Sequence, residues 1–547
     1  MSANWGSSSI SDPNGNLLFY TNGVSVWNNS HTLMSNGTGL YGNSNQSQSS
    51  LILKKPGSSN QFFLFTVQGL ALLTATTGLN YSLIDMNLSA GQGSITIKNQ
   101  VLYSSPCSEK LTATKHCNGV DYWIVISETF SYNNSVMQSN FRSYLLNSTG
   151  VSSIAVTSSF TLPVGSAPNW PHGFMKISPN GKKLALTNYF NTNQSTPIVE
   201  LYDFDNSTGI VSNRNMLMAV SNASLAAQGL EFSQDASKLY VSGGTNLSTA
   251  YHNQIIQWDL CAGNINSIIA SQNTIVTTPN FYYVGMQLAK NGKIYVTGIP
   301  SSGNSTTPFL SVINTPNNLG ISCNFNHLSQ SLSTGGALRG LPNFPTSDLI
   351  PHPTPSPFTY TANNTFGCQG AQFTAPSVNN LTVTGCSSVG YSVTGYAWNF
   401  GDPNSGSNNI SFLNNPVHNF SSLGTYTTEL IIYYSCGGGT DTLRQQVNIT
   451  QPCISVSSTS ITCASLGSAT VSPTAGLSGP FSYTWLPSNQ TGSVVSGLNP
   501  GTHTVLFNIP GTNQSSSSTV NFISPIPLTA SVSSSPSITC NGASTGT

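Results

Sequence analysis

Short hairpin signals recur between residues 10 and 296 of this 547-residue chain, and they constrain its fold more than any other feature. In each, two alternating apolar strands flank Asn-Gly or an equivalent turn pair, the strongest short-range signal for a β-hairpin. Four of these hairpins are regular and two are less so: 10–20, 177–186, 232–241 and 288–296, with 51–67 and 111–127. The pattern predicts a repeated all-β architecture.

A second recurring unit lies between these hairpins. It consists of a strand, a polar turn with glycine and a further β-branched residue, and it is found at 201–210, 256–265, 81–97, 144–151 and 310–321. Two alternating hairpin types, with about 40 to 60 residues per cycle, are typical of four-stranded propeller blades. We therefore predict an N-terminal β-propeller of six or seven blades, with a parallel β-helix or several separate sandwiches as competing interpretations. The chain starts inside the first predicted blade, which leaves ring closure open.

Charged side chains are scarce throughout the sequence. Only 5% of the residues are charged, with 15 basic and 15 acidic side chains, whereas an average soluble domain has roughly 25%. A neutral surface offers no stripe for phosphates or anionic lipids, so we expect no nucleic-acid partner. No run of 18 apolar residues occurs, so we expect no membrane insertion within this chain. Stability should respond weakly to salt and to pH between about 5 and 9.

An aromatic-rich motif stands in the second half of the chain. An aromatic strand breaks at Gly-Asp-Pro, and a second aromatic strand opens with Gly-Thr-Tyr. The motif residues are Trp398, Phe400, Gly401, Asp402, His418, Phe420, Gly424 and Tyr426. They resemble the signature of the PKD domain, which reads W-x-F-G-D, then H-x-F and G-x-Y. The resemblance implies a non-catalytic, immunoglobulin-like β-sandwich of an extracellular protein, in which these residues are structural.

A repeated segment follows the motif. Ser-Ile-Thr-Cys at 460–463 recurs at 537–540, and the first copy continues through Gly-x-Ala-Thr-Val, Gly-Pro-Phe-x-Tyr-x-Trp and Gly-Leu-x-Pro-Gly. This pattern resembles the repeats of large surface adhesins from gliding Bacteroidetes. Residues 10–23, 111–123 and 339–344 likewise resemble the propeller-like region of PKD-containing surface proteins from that group. The resemblances imply an exported protein, and we expect an export signal before Met1 and further repeats beyond Thr547.

The domain boundaries follow from these segments and from a proline-rich run. Four prolines in 351–357 cannot pair as a central strand and indicate a stiff linker. We predict a propeller at 1–348, a linker at 349–358, a PKD domain at 359–451, an adhesin-type sandwich at 452–526 and the start of a second repeat at 527–547. The fold class is therefore all-β, with a propeller followed by immunoglobulin-like sandwiches.

Ten cysteines are distributed along the chain without any Cys-x-x-Cys pair, which argues against a metal site. Disulfides in an oxidising compartment are the preferred interpretation, with buried reduced thiols as the alternative. Because each pair lies within one hairpin-sized stretch, Cys107 with Cys117 and Cys368 with Cys386 are the first candidates. Connectivity does not follow from the sequence.

The acidic residues give little indication of catalysis. Most of the 15 lie in turns, where Asp caps the backbone, and only Glu200 and Glu231 fall in strands. A glycosidase needs two carboxylates about 5 to 10 Å apart. Asp12-x-Asn14-x-Asn16 and the similar 203–207 stretch share the spacing of calcium ligands but lack the later Glu, so we interpret both as structural turns. We expect no catalytic residue, no metal and no cofactor.

Aromatic and histidine residues are the candidate ligand contacts. A neutral surface rich in aromatic and amide groups would recognise uncharged polysaccharides or cell-surface glycans by stacking and hydrogen bonds, and other surface proteins are a further class of partner. The candidates are Trp170, His172, Trp258, Tyr282 and Tyr283, for which core packing or a turn is the alternative role. We therefore predict a secreted or surface-displayed, non-enzymatic adhesion protein. The alternatives are an exported hydrolase and a structural spacer.

Overall fold

The protein folds into two compact units, one containing Met1–Thr354 and the other containing Pro355–Ser377, Gly395–Ile432 and Thr440–Thr547. The computed structural model describes residues 5–68, 78–105, 107–128, 132–133, 136–162, 172–188, 197–219, 226–244, 253–302, 306–333, 335–349, 355–362, 369–376, 393–434, 440–450, 453–474, 479–511 and 515–526.

Six antiparallel sheets follow one another in the first unit, and we number them blades 1 to 6 in chain order. Blade 1 contains β1 (Ser8–Ser11), β2 (Leu17–Thr21) and β3 (Val26–Asn28), and blade 2 contains β4 (Ser50–Lys54), β5 (Gln61–Val67), β6 (Leu79–Asp85) and β7 (Ser94–Tyr103). Blade 3 contains β8 (Cys107–Lys115), β9 (Tyr122–Glu128), β10 (Tyr132–Asn133), β11 (Val136–Asn147), β12 (Gly150–Val151) and β13 (Val156–Leu162).

The remaining blades each have four strands in simple up-and-down order. Blade 4 contains β14 (Met175–Ile177), β15 (Lys183–Thr187), β16 (Pro197–Asp205) and β17 (Ile210–Ala219). Blade 5 contains β18 (Ala226–Phe232), β19 (Lys238–Gly244), β20 (Gln254–Asp259) and β21 (Asn273–Thr277). Blade 6 contains β22 (Phe281–Leu288), β23 (Ile294–Pro300), β24 (Phe309–Ile313) and β25 (Phe325–Ser331).

The six hairpin predictions are confirmed, because each pairs the first two strands of one blade. The first strand of each blade contacts the first strand of the next, so these inner strands surround a common axis. Between neighbouring blades lie separate clusters of buried apolar side chains. The first unit is therefore a β-propeller, as predicted.

Two predicted hairpins of the second type differ from the structure. In the 310–321 unit, Gly320–Cys323 forms a 3-10 helix where the second strand was expected to start. The 256–265 unit was expected to turn directly into its next strand, but helix α1 (Ile265–Ala270) stands between β20 and β21. The side chain of Asn264 caps this helix by accepting a hydrogen bond from Ser267 N at 3.0 Å. Ile268 is buried in the core between blades 4 and 5, which anchors the helix. The sequence Gly-Asn-Ile at 263–265 can start either a short capped helix or a strand, so the sequence pattern could not distinguish the two.

A hydroxyl on the second strand connects each of the last three blades to the next inner segment. The donor and acceptor pairs are Thr187 Oγ1 to Gln228 O, Ser242 Oγ to Val284 O and Thr297 Oγ1 to Arg339 O. The last two measure 3.0 and 2.9 Å. The third acceptor lies beyond blade 6, so residues after blade 6 continue the ring as if they were a further inner strand.

Glycine follows each of these three acceptors because the next backbone approaches closely. A Cβ on Gly229 would lie 1.7 Å from Val284 O, and a Cβ on Gly340 would lie 1.5 Å from Trp5 O. No side chain is compatible with such distances. Segment 339–343 therefore fills the place between blades 6 and 1, where Asn343 N donates to Ser7 O at 2.8 Å, and the ring is closed.

Two β-sandwiches form the second unit. The first contains β26 (Thr359–Ala362), β27 (Gly370–Thr374), β28 (Val393–Asn399), β29 (Ile410–Ser411), β30 (Val417–Asn419), β31 (Gly424–Tyr434) and β32 (Thr440–Ile449). The second contains β33 (Ile454–Thr459), β34 (Gly467–Pro473), β35 (Ser482–Leu486), β36 (Gln490–Thr491), β37 (Val494–Leu498), β38 (Gly501–Asn508) and β39 (Ser515–Phe522).

Both sandwiches have the same topology. Counting strands within each, a three-stranded sheet has the order 1-2-5 and a four-stranded sheet has the order 4-3-6-7. A fully buried tryptophan stands on the third strand of each, Trp398 in one and Trp485 in the other. Both indole N–H groups donate to a backbone carbonyl, that of Leu413 at 2.9 Å and that of Gly492 at 3.2 Å. The second sandwich therefore repeats the architecture of the first.

Candidate functional site

Polar side chains meet at one level of the propeller axis. Lys176, Glu231 and Gln287 stand on the inner strands of blades 4, 5 and 6, each two residues before the hairpin turn and between two apolar neighbours. They are 3%, 0% and 6% exposed, respectively. Lys176 Nζ donates to Gln287 Oε1 at 2.7 Å and lies 3.4 Å from Glu231 Oε2. We call these three residues the axial cluster.

Both carboxylate oxygens of Glu231, the acidic member of the axial cluster, accept hydrogen bonds from the backbone. Phe232 N donates to Glu231 Oε1 at 3.0 Å, and Leu288 N donates to Oε2 at 3.1 Å. Burial raises the pKa of Glu231, while Lys176 and the backbone donors oppose the shift. Because its donors come from blades 4, 5 and 6, the carboxylate joins the three blades and is not presented to a ligand.

A second charged group, which we call the rim cluster, comprises Glu109, Lys110 and His172. Glu109 lies near the start of the inner strand of blade 3 and accepts hydrogen bonds from Ser47 Oγ at 2.6 Å and Gly173 N at 2.8 Å. His172 Nδ1 lies 3.4 Å from Glu109 Oε2. The cluster therefore connects blades 2, 3 and 4 through a single buried carboxylate.

Lys110 is buried and contacts the backbone of His172. Its Nζ donates to His172 O at 3.2 Å, and burial lowers the pKa of Lys110 to about 8. The side chain of His172 is 33% exposed, whereas that of Glu109 is 2% exposed. Within the rim cluster, His172 is therefore the group that solvent or a ligand reaches.

The segment after blade 6 continues across the inner strands. Asn343 Nδ2 donates to Ser50 O at 3.2 Å and to Leu111 O at 3.0 Å, and Thr346 Oγ1 donates to Ile177 O at 3.2 Å. These acceptors belong to blades 2, 3 and 4. One short segment therefore contacts the inner strands on several sides of the ring and fills part of the axis.

Asp348 ends this segment and fixes it to blade 3. Tyr122 Oη donates to Asp348 Oδ1 at 3.0 Å, and Lys115 Nζ lies 3.4 Å from the same oxygen. The Asp348 carboxylate therefore attaches this segment to blade 3.

The predicted ligand candidates occupy different environments. Trp170 lies outside the described residues, whereas His172 belongs to the rim cluster. Trp258 and Tyr283 are fully buried, in the cores between blades 4 and 5 and between blades 5 and 6, which is the core-packing alternative for each. Tyr282 is half-buried on β22. The structure thus places one of the five, His172, at a partly exposed polar site.

The expectation that only Glu200 and Glu231 fall in strands is wrong, because Glu109 and Glu128, among other acidic residues, also lie in strands. Glu200 and Glu231, the two carboxylates of the hydrolase alternative, lie on different kinds of strand. Glu231 is on an inner strand, but Glu200 is on β16, the third strand of its blade, where Arg214 Nε donates to it at 2.7 Å. Burial raises the pKa of Glu200, and Arg214 opposes the shift. Each carboxylate has its own cation, which leaves neither as an unengaged acid or base.

All twelve acidic side chains of the propeller are engaged by other groups of the protein. Each accepts a hydrogen bond from the protein itself; they are Asp12, Asp85, Glu109, Asp121, Glu128, Glu200, Asp203, Asp205, Glu231, Asp235, Asp259 and Asp348. In the calcium-like stretches, Asp12 accepts from Asn14 N and Asn16 N, and Asp205 accepts from Ser207 N. The acids are used to build turns and to join blades.

Sequence reasoning missed Glu109, Lys110, Lys176 and Gln287. A usable signal exists for the axial cluster, because Lys176, Glu231 and Gln287 each interrupt an apolar strand at the same distance from the hairpin turn. A polar residue kept between two large apolar residues in three repeats indicates convergence on a common axis. The rim cluster has no such regularity, since Glu109 and Lys110 lie in a bulge of β8.

The predicted Cys107–Cys117 pairing is wrong, because Cys107 is a free thiol. Cys107 begins β8 and Cys117 follows its end, so one extended strand separates them instead of a hairpin. At about 3.3 Å per residue, the two Cα atoms lie far beyond the roughly 7 Å limit for a disulfide. Cys368 and Cys386 lie outside the described residues.

The motif residues of the first sandwich form one packed group. Asp402 accepts hydrogen bonds from Ser421 N at 2.7 Å and from Ser421 Oγ at 2.5 Å, and His418 Nε2 lies 3.3 Å from its Oδ2. The His418 ring stacks on Phe400 with ring centroids 4.2 Å apart. Phe420 contacts both His418 and Tyr426 at 4.5 and 4.3 Å. The motif therefore supplies a buried contact between histidine and aspartate that aromatic rings enclose.

Two glycines of the motif have positive φ. Gly401, at φ +74°, lies so close to the neighbouring strand that a Cβ would stand 2.4 Å from Thr427 O. Gly424 has φ +156° and opens β31. Trp398, two residues before Phe400, packs edge-on against Phe358 at 5.1 Å.

Residues 369–449 match the PKD domain family. PKD domains are typical of extracellular proteins, and the matched residues include His418, Asp402 and the aromatic rings around them.

Comparison of the whole chain with other proteins gives only remote likenesses. No curated protein matches the sequence. The GH74 enzyme of Niastella koreensis is 10% identical, with coverage of 95% of this chain and 80% of that chain and a TM-score of 0.31. A quinonprotein alcohol dehydrogenase-like protein of Bacteroides thetaiotaomicron is 10% identical over 58% and 66%, with a TM-score of 0.29. The Synechocystis apocarotenoid oxygenase mutant Trp149Ala is 7% identical over 52% and 73%, with a TM-score of 0.25. The propeller is assigned from its own sheet topology.

None of the helices in the described parts of the chain is long and apolar enough to cross a membrane.

Proposed function

We propose that this chain is a non-enzymatic binding and adhesion protein of the cell exterior, in which the propeller recognises an uncharged glycan. The observation that carries the proposal is the engagement of all twelve propeller carboxylates in turns, ion pairs or anchoring contacts. A hydrolase needs a carboxylate or another activated group that is presented to its substrate. The PKD domain supports an extracellular modular protein.

The rim cluster is the proposed contact on the propeller. His172 is its partly exposed member, with its ring beside a buried carboxylate that orients it. A partly exposed imidazole of fixed orientation can contact an uncharged sugar without any net charge. The two sandwiches act as a stalk in this proposal, and surface display fits the adhesin-like repeat pattern at 452–526 and 537–540.

A combined binding and turnover screen tests the proposal. The whole chain is incubated with immobilised neutral polysaccharides and with chromogenic glycosides, and retention and product are measured on the same samples. We expect retention on at least one neutral polysaccharide without product, and weaker retention by His172→Ala. Turnover that disappears in Glu231→Gln would overturn the proposal and establish a hydrolase instead.

A further inference from the structure

The second sandwich has no charged side chain at all. No Asp, Glu, Lys or Arg occurs after Arg444, so the uncharged stretch includes every strand from β33 to β39. Soluble domains average about 25% charged residues, and a net charge near zero promotes association. The surface of this sandwich is therefore without the like-charge repulsion that keeps most domains apart.

Strand β39 forms an edge of the four-stranded sheet in this sandwich. It pairs with β38 in continuous register, from Gly501 opposite Phe522 to Asn508 opposite Ser515, without a bulge. Its outward side chains are exposed and uncharged; they are Ser515, Ser517, Thr519 and Asn521. Natural sheets protect their edges with charges, prolines or bulges, and this eight-residue strand has none of them.

The PKD domain provides an internal comparison, since its β32 is the topological equivalent of β39. That edge contains Asp441 and Arg444, and Arg444 Nη2 lies 2.6 Å from Glu429 Oε2 on the neighbouring strand. The Arg444 side chain is 69% exposed. One fold in one chain therefore has a charged edge in the first sandwich and an uncharged edge in the second.

We propose that strand β39 pairs in antiparallel fashion with β39 of a second copy of this chain, which extends the four-stranded sheet across a two-fold axis. A second copy is the occupant that fits, because it presents the same hydroxyl and amide side chains and also has no charge to desolvate at this edge. Antiparallel pairing of identical strands would satisfy the outer backbone N–H and C=O groups of both copies at once. The proposal is independent of what the propeller binds.

Lysine substitution tests the proposal on the whole chain. The molar mass is measured by light scattering over a range of concentrations for the wild type, for Ser517→Lys and for the matched control Gln446→Lys on β32. We expect the wild type and the control to dimerise as concentration rises and Ser517→Lys to stay monomeric, with unchanged circular dichroism. A wild type that is monomeric at every concentration, or a Ser517→Lys variant that still dimerises, would overturn the proposal.

Cysteine crosslinking tests the register without relying on a charge. Single cysteines replace Ser515, Ser517, Thr519 or Asn521 in a Cys463→Ser background, and crosslinked dimer is quantified after mild oxidation. In a two-fold antiparallel pair the residues nearest the axis face their own copies, so the yield should peak at one site or at two neighbouring sites. Equal yields at all four sites would indicate random collision and contradict the pairing.

Discussion

Tyr426 and His503 occupy the same corner of two successive sandwiches. Tyr426 Oη donates to Ser422 O at 2.7 Å, and His503 Nε2 lies 2.9 Å from Asn499 O, so each ring reaches back four residues to a backbone carbonyl. Each residue stands third in a Gly-Thr-aromatic sequence at the start of the sixth strand of its sandwich. Tyr426 is the last residue of the PKD motif, and the second sandwich uses a histidine for the same bond.

This equivalence gives a stability prediction for the second sandwich. His503 is 6% exposed, so His503→Ala removes a buried hydrogen bond and leaves Asn499 O without its donor. We expect a loss of about 1 to 3 kcal/mol in the free energy of unfolding. His503→Tyr should retain most of the stability because tyrosine makes this bond in the PKD domain. Chemical denaturation of the three proteins tests this; equal losses in both variants would show that the corner bond is unimportant.

The buried ion pair of the axial cluster gives a second prediction. Lys176→Met leaves the Glu231 carboxylate buried without its cation, and removal of one partner of such a pair typically costs about 3 to 5 kcal/mol. The double variant Lys176→Met with Glu231→Gln should recover part of this loss. The surface pair Lys183–Asp203, about one-third exposed on both sides, is the matched control, and Lys183→Met should cost at most about 1 kcal/mol. Equal effects of Lys176→Met and Lys183→Met on thermal unfolding of the propeller would contradict this account.

The difference between what was and was not predictable has a physical cause. Hairpins are local, so Asn-Gly or equivalent turns located the first two strands of every blade. The axial cluster joins residues 55 and 111 positions apart in sequence, and segment 339–343 closes the ring onto Trp5 and Ser7, so neither follows from a local pattern. The Cys107–Cys117 prediction failed for a different reason, because these two residues are close in sequence but distant in space. Proximity in sequence was taken as proximity in space, but a single extended strand separates the two residues.

The rim cluster gives a prediction at alkaline pH. Burial lowers the pKa of Lys110 to about 8 from 10.5, so between these values the unfolded chain binds a proton that the folded chain does not. Stability therefore rises with pH across this window, in contrast to the weak pH dependence below about pH 9 expected from the scarcity of charges. Relative to Lys110→Met, we expect the wild type to gain up to about 3 kcal/mol in free energy of unfolding. If the free energies of unfolding of the wild type and Lys110→Met change with pH in the same way from pH 7 to 10, Lys110 does not have a lowered pKa in the folded protein.

The PKD domain should lose stability in acid through its buried histidine. Burial lowers the pKa of His418 below 6.5, so the unfolded chain takes up a proton first as the pH falls. The stabilising contribution is present above 6.5 and decreases as the pH falls below it. We expect His418→Phe to abolish this part of the pH dependence, although it also removes the contact with Asp402. Denaturant unfolding at several pH values between 7 and 5 measures the slope; an unchanged slope in the variant would exclude His418 as its source.

Recognition of an uncharged ligand by the propeller is the central claim, and the salt dependence of binding tests it most directly. For any polysaccharide retained in the screen, the dissociation constant of the whole chain is measured while NaCl is raised from about 0.01 M to about 1 M. This shortens the screening length from about 30 Å to about 3 Å. The account predicts a dissociation constant that changes by less than about twofold, because hydrogen bonds and stacking are screened little. A loss of binding across this range would show that charges carry the interaction and would contradict the account.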